Sequence, residues 1–182
     1  ASSGLATFAG LSINKAGIGY TLTASATSRT GATSSTFSIA AGVASTIAVN
    51  AGNGQSAVAG SAVATDPSVL VTDANGNPKA GVSVTFAVAT GGGTVVPTSA
   101  VTTDASGIAT VTSWTLGTTA GANSLTATSA GLTGSPVTFT ATGTAGAAAE
   151  VQLTMTPTTS LASGTTRTLT ATLKDANGNT LT

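Results

Sequence analysis

The pentapeptide Asp-Ala-Asn-Gly-Asn occurs twice, at residues 73–77 and 175–179. The copies lie 102 residues apart, and each follows a strand-like run, Val69-Leu70-Val71-Thr72 in one case and Leu169-Thr170-Ala171-Thr172-Leu173-Lys174 in the other. An echo of this kind marks a tandem array. A period of about 100 residues, filled with short strands and turn residues, restricts the fold to small β-domains placed in series. The rest of the chain aligns with itself in the same way. Leu22-Thr23-Ala24 matches Leu125-Thr126-Ala127, Gly31 matches Gly134, Phe37 matches Phe139, and residues 41–47 match 145–151. These matches divide the 182 residues into three parts: 1–44 as the closing half of one domain, 45–148 as a complete domain, and 149–182 as the opening strands of a third. The chain is expected to be a window on a longer array, interrupted within a domain at either end.

Strand signals recur throughout. In Gly81-Val82-Ser83-Val84-Thr85-Phe86-Ala87-Val88, the residues Val82, Val84, Phe86 and Val88 fall on one face, the period-two pattern of a half-buried strand. Similar patterns at 68–72, 108–114, 124–128 and 137–141 are rich in Val and Thr, whose β-branched side chains suit a pleated surface. No segment carries a 3.6-residue period. The alanine-rich stretch 145–149 is too short to nucleate a helix and reads as a linker. Turn residues separate the strands at 73–78, 91–93, 104–107 and 118–121, where Asn and Gly tolerate positive φ and Asp bonds its own following backbone. The sequence therefore predicts an all-β chain of Greek-key β-sandwiches of the immunoglobulin-like kind.

Only 5% of the residues are charged. Lys15, Arg29, Lys79, Arg167 and Lys174 balance Asp66, Asp73, Asp104, Glu150 and Asp175. Five dispersed cations make no basic stripe, which excludes a nucleic-acid partner. Ser, Thr, Asn and Gly must keep such a surface wet, and close packing of neighbours meets no charge repulsion. The absence of Cys rules out disulfides and thiolate metal sites. No run of 18 apolar residues is present, so the segment predicts no membrane insertion.

Three further segments, Ser83-Val84-Thr85-Phe86-Ala87-Val88 with its glycine run, Ala105-Ser106-Gly107-Ile108-Ala109-Thr110-Val111, and Trp114-Thr115-Leu116-Gly117, resemble bacterial immunoglobulin-like repeats of the invasin and intimin type. The resemblance is strongest over 44–148. Phe8-Ala9-Gly10-Leu11-Ser12-Ile13 and Gly17-Ile18-Gly19-Tyr20-Thr21-Leu22 resemble another repeat of large bacterial surface proteins. The resemblance implies an extracellular or cell-surface location and a role as stalk, adhesin or fibre body.

Candidate chemistry is sparse. Without His or Cys and with five scattered acids, the chain offers no acid–base pair, so no catalytic residue, no cofactor and no metal ligand is assigned. Asp73, Asp104 and Asp175 are read as turn caps. The alternative is a weak calcium site built from Asp73, Asn75 and Asn77, with a counterpart at Asp175, Asn177 and Asn179. Gly91-Gly92-Gly93 lacks the Lys-Ser/Thr and helix start of a phosphate cradle and reads as a flexible loop. Trp114, the single tryptophan, is expected in the core rather than as a sugar-stacking platform. Tyr20 is expected at a corner, bonding backbone. An isopeptide from Lys15, Lys79 or Lys174 is disfavoured, with Lys79 and Lys174 placed in solvent. No Asn-x-Ser/Thr sequon is present.

The expected function is a structural repeat region, a stalk or fibre body whose partners are neighbouring repeats of the same chain, with self-association into filaments as a variant. The competing class is an adhesin module contacting glycan or protein through sandwich-end loops. Those loops are Gly, Ala, Ser, Thr and Asn, whereas recognition hot spots favour Trp, Tyr and Arg.

Overall fold

The structure, a computed structural model, describes residues 4–156 and 158–181; the opening residues 1–3, Pro157 and Thr182 lie outside the described residues. Its strands are β1 (Gly17–Tyr20), β2 (Thr23–Ala24), β3 (Ala32–Thr33), β4 (Phe37–Ile39), β5 (Ala44–Ala51), β6 (Gln55–Val58), β7 (Ser68–Asp73) and β8 (Ser83–Thr90). They continue as β9 (Gly93–Val96), β10 (Val101–Thr102), β11 (Ile108–Thr110), β12 (Ser113–Leu116), β13 (Gly121–Thr128), β14 (Val137–Thr144), β15 (Ala148–Thr156) and β16 (Thr168–Asp175). No helix forms among the described residues. The chain is all-β.

A five-stranded sheet, in the order β10-β8-β13-β14-β6, faces a three-stranded sheet, β11-β7-β5. Strict alternation builds the inner face. Along β14, Val137, Phe139 and Ala141 are buried while Thr138, Thr140 and Thr142 are exposed. Val84 and Phe86 of β8 and Leu125 and Ala127 of β13 join them, with Phe86 and Phe139 in tilted contact at 6.5 Å between ring centroids. Opposite lie Ile47 of β5, Val69 and Val71 of β7, and Ala109 of β11. Burial of each of these larger side chains stabilises the sandwich by about 1.5–3 kcal/mol.

The expected strand over 108–114 is two strands in different sheets. β11 pairs with β7, whereas β12 pairs with β9, Trp114 standing opposite Val95. Between them Val111 donates its N–H to Pro67 O, and Thr112 donates to Val96 O. Buried positions accordingly run 109 and 111, then 114 and 116, so the period-two pattern skips one residue where the chain changes sheet. The glycine run is not a loop throughout. Gly93 opens β9; a Cβ on Gly117 would run into the Gly91 backbone, and one on Gly91 into the Asn123 side chain and Ala122 O. The linker over 145–149 is also shorter than expected, because β15 begins at Ala148, paired with Asp175.

Outside the central sandwich, β1 pairs with β4, and β2 with β3. The Tyr20 and Phe37 rings lie 6.0 Å apart, and Tyr20 donates its hydroxyl to Lys15 O at 3.0 Å, the corner bond expected of it. Strands β15 and β16 reproduce the register of β5 and β7. Val151 faces Leu173 as Ile47 faces Val71, Ala148 faces Asp175 as Ala44 faces Asp73, and a register irregularity follows that end pair in both. Whereas Ile47 and Val71 are buried, Val151 and Leu173 are 58% and 47% exposed.

Candidate functional site

The most elaborated polar groups in the molecule are the two Asp-Ala-Asn-Gly-Asn turns. Each begins as a local device. Asp73 Oδ1 accepts the backbone N–H groups of Asn75 and Asn77, both at 2.9 Å, and the backbone closes with Asp73 N–H on Asn77 O at 2.9 Å and Gly76 N–H on Asp73 O at 3.1 Å. Gly76 holds φ at +81°, which glycine adopts without the steric penalty other residues meet. This is an Asx turn extended by one residue, the capping role expected of Asp73.

The outer carboxylate oxygen and the last asparagine look elsewhere. Asp73 Oδ2 accepts the Asn77 side-chain amide at 2.9 Å and the backbone N–H of Gly42 at 2.7 Å, 31 positions upstream. Asn77 spends its remaining capacity on a third segment, accepting the N–H of Ala16 through Oδ1 at 2.8 Å and donating Nδ2–H to Asn14 O at 2.8 Å. The second turn repeats every bond. Asp175 Oδ1 accepts Asn177 and Asn179 N–H at 2.9 and 2.8 Å, and Oδ2 accepts Asn179 Nδ2–H at 2.9 Å and Gly146 N–H at 2.8 Å. Asn179 accepts Ala120 N–H at 2.7 Å and donates to Thr118 O at 2.9 Å. Asp73, Asn77, Asp175 and Asn179 are all buried.

Each carboxylate thus sits among four N–H donors. The Asn77 amide, followed by the N–H of Gly42, lowers the Asp73 pKa from an ordinary 3.8 to about 2, against the desolvation its burial imposes. Asn179 and then Gly146 lower Asp175 equally, to about 2. Hydrogen bonds to the charged form are the dominant cause in both. The same donors argue against the calcium alternative at these turns. A cation needs oxygen lone pairs turned toward it, but here N–H groups occupy both Asp oxygens and the Asn77 and Asn179 amide oxygens as well. Among the described residues no group of three metal-ligating side chains gathers elsewhere.

The remaining candidates take structural places. Trp114, on β12 opposite Val95 of β9, is fully buried, and its Nε1–H finds no acceptor among the described residues. Lys79, expected in solvent, is half-buried and donates Nζ–H to Ala41 O at 3.2 Å, so it too reaches the segment beside Gly42. Lys174 is half-buried over its own turn, donating to Gly178 O at 3.1 Å. Asp104 caps its turn with N–H bonds from Ser106 at 2.8 Å and Ile108 at 3.0 Å. The cross-segment reach of Asn77 was not foreseen from the sequence. Its signal was the Asn closing both pentapeptides, where the turn itself requires no side-chain amide.

Two solved structures share this architecture. FdeC, an Escherichia coli adhesin, aligns with a TM-score of 0.51 at 23% identity, covering 79% of this chain and 45% of its own. InvD of Yersinia pseudotuberculosis aligns at 0.52 and 18% identity, over 80% of this chain and 46% of its own. The fold is the immunoglobulin-like β-sandwich of bacterial adhesins. Invasin, a bacterial integrin-binding protein, is 30% identical over 73% of this chain and 26% of its own, with a TM-score of 0.43. The chain therefore spans less than half the length of each of these immunoglobulin-like proteins. No family model matches it, and no curated protein does.

Proposed function

We propose that this chain is a structural stretch of a bacterial surface or extracellular protein, a row of immunoglobulin-like sandwiches with junctions near residues 44 and 148 that serves as a stalk or fibre body. One observation carries the reading: the bonds that tie residues 14–16 and 42 to the first turn recur, bond for bond, between 118–120 and 146 and the second turn. A joint repeated with the same atoms sets each unit on the last at the same angle, and repetition of one angle generates a regular array, straight or evenly curved. A strand of about ten residues makes each unit on the order of 35 Å long. Many such units project a tip well beyond the envelope.

The surface location draws support from the fold shared with FdeC, whose description is that of an adhesin. An adhesin module reading its ligand through sandwich-end loops has less support, because the loops 14–16, 73–77, 118–120 and 175–179 are taken up in the joints. Electron microscopy of material containing the chain tests the stalk. Straight or evenly curved strings of beads about 35 Å apart are expected. A helical lattice of laterally packed chains would make the filament variant the function, and collapsed particles without extension would overturn both.

A further inference from the structure

The turn at 104–108 is a control that the molecule supplies for itself. Asp104-Ala105-Ser106-Gly107-Ile108 has the same local bonds as 73–77: Oδ1 accepts from the second and fourth following residues, Asp104 N–H bonds Ile108 O at 2.9 Å, and Gly107 N–H bonds Asp104 O at 3.0 Å. The aspartate and glycine are therefore enough to make the turn. At 104–108, however, the fourth position is Ile108, and among the described residues no bond from this turn's side chains reaches another unit. Where that position holds Asn, as at Asn77 and Asn179, the turn is tied to the unit before it by two amide bonds.

We infer that the asparagine four residues after the turn aspartate is the specificity-determining contact of a head-to-tail docking surface. In this surface the Asp-Ala-Asn-Gly-Asn turn is a plug, and the plug fits a socket formed by the strand-entry loop and linker of the preceding immunoglobulin-like unit. This deepens the stalk reading and rests on it.

The socket is chemically defined. It offers one carbonyl and one N–H two residues apart, Asn14 O with Ala16 N–H or Thr118 O with Ala120 N–H, and a planar carboxamide is the side chain that matches both at once. It also offers the N–H of Gly42 or Gly146 to the carboxylate. The side chains between, Lys15 and Thr119, differ, so recognition runs through backbone and tolerates sequence drift in the socket. The plug tolerates none at two positions. Aspartate in place of the asparagine would supply no donor and would set a second negative charge against the first; Ser or Ala would reach neither partner. The partner that fits this surface is thus another unit of the same array, and the surface holds it in one orientation.

The test is a distance distribution across the joint in the chain as it stands. Because native cysteine is absent, spin labels at Thr30→Cys and Thr85→Cys, both exposed, report the first joint alone. A single narrow peak is expected, broadening severalfold in Asn77→Ala and in Asn77→Asp and staying narrow in Asp104→Ala, which loosens only its own turn. Unchanged Trp114 emission shows that the sandwich itself is intact. Should Asn77→Ala fail to fold, Asn179→Ala with labels at Thr85→Cys and Gln152→Cys puts the same question at the second joint. A narrow peak that survives the asparagine substitution, or a parent distribution already broad, overturns the plug. Failure of the stalk reading is separate: it would leave the parent peak narrow and asparagine-dependent while microscopy showed no extended strings.

Discussion

Gly42 donates its backbone N–H to Asp73 Oδ2 at 2.7 Å, a bond that ties the segment entering β5 to the turn that follows β7. An acceptor that must be ionised makes this contact sensitive to acid. The Asp73 and Asp175 pKa values are depressed to about 2 in the folded chain, against 3.8 for the free side chain. A depressed folded value means that the contribution is fully present above pH 3.8 and is lost as pH falls through about 2. In an NMR titration the amide resonances of Gly42 and Gly146 are therefore expected to move together with midpoints near 2; midpoints at 3.8 would mean that the carboxylates are not held.

Calcium is expected to leave the protein unchanged. With N–H groups occupying the oxygens of both turns, a cation would have to break four hydrogen bonds to approach. Thermal unfolding in millimolar calcium and in chelator should coincide. A calcium-dependent rise in Tm lost in Asp73→Asn would restore the metal site.

Trp114→Ala should destabilise the central sandwich by about 3–5 kcal/mol in denaturant unfolding, because the side chain is fully buried and its cavity cannot collapse within a sheet-on-sheet core. Trp114→Phe should lose distinctly less. It leaves a smaller void and removes a buried N–H that has no acceptor among the described residues, a group whose burial unpaired carries a penalty of about 1–3 kcal/mol. Equal losses in the two variants would show that the indole N–H is satisfied in solution.

Two glycines with left-handed backbone should respond differently to alanine. Gly54, at φ +71° with open space around it, should lose about 1–2 kcal/mol from backbone strain alone. Gly93, at φ +87°, adds to that strain an overlap with Thr115 O and with the Leu116 backbone 2.7 Å away, so Gly93→Ala should lose more, at least about 3 kcal/mol, or fail to fold. Comparison of the two unfolding midpoints checks this.

Alternation in the sequence determined which faces of β8, β13 and β14 are buried, because a strand's side chains change sides at every residue whatever lies opposite. It equally determined the turns, since Asp, Asn and Gly act on their own neighbouring backbone, and the echo at 102 residues placed like turns after β7 and β16. What lay beyond the sequence were the relations that depend on a partner brought from elsewhere in the chain. The break at Thr112 became visible only once β7 and β9 stood in different sheets to receive β11 and β12. Asn77 and Asn179 read as ordinary turn residues, because Asn suits such a turn for local reasons alone. Only the folding of the chain carried Asn14 and Ala16, more than 60 positions away, to within hydrogen-bonding distance of Asn77. Local conformational preference is written residue by residue, but the partner of a side-chain amide is decided by which backbone groups the tertiary fold leaves facing it.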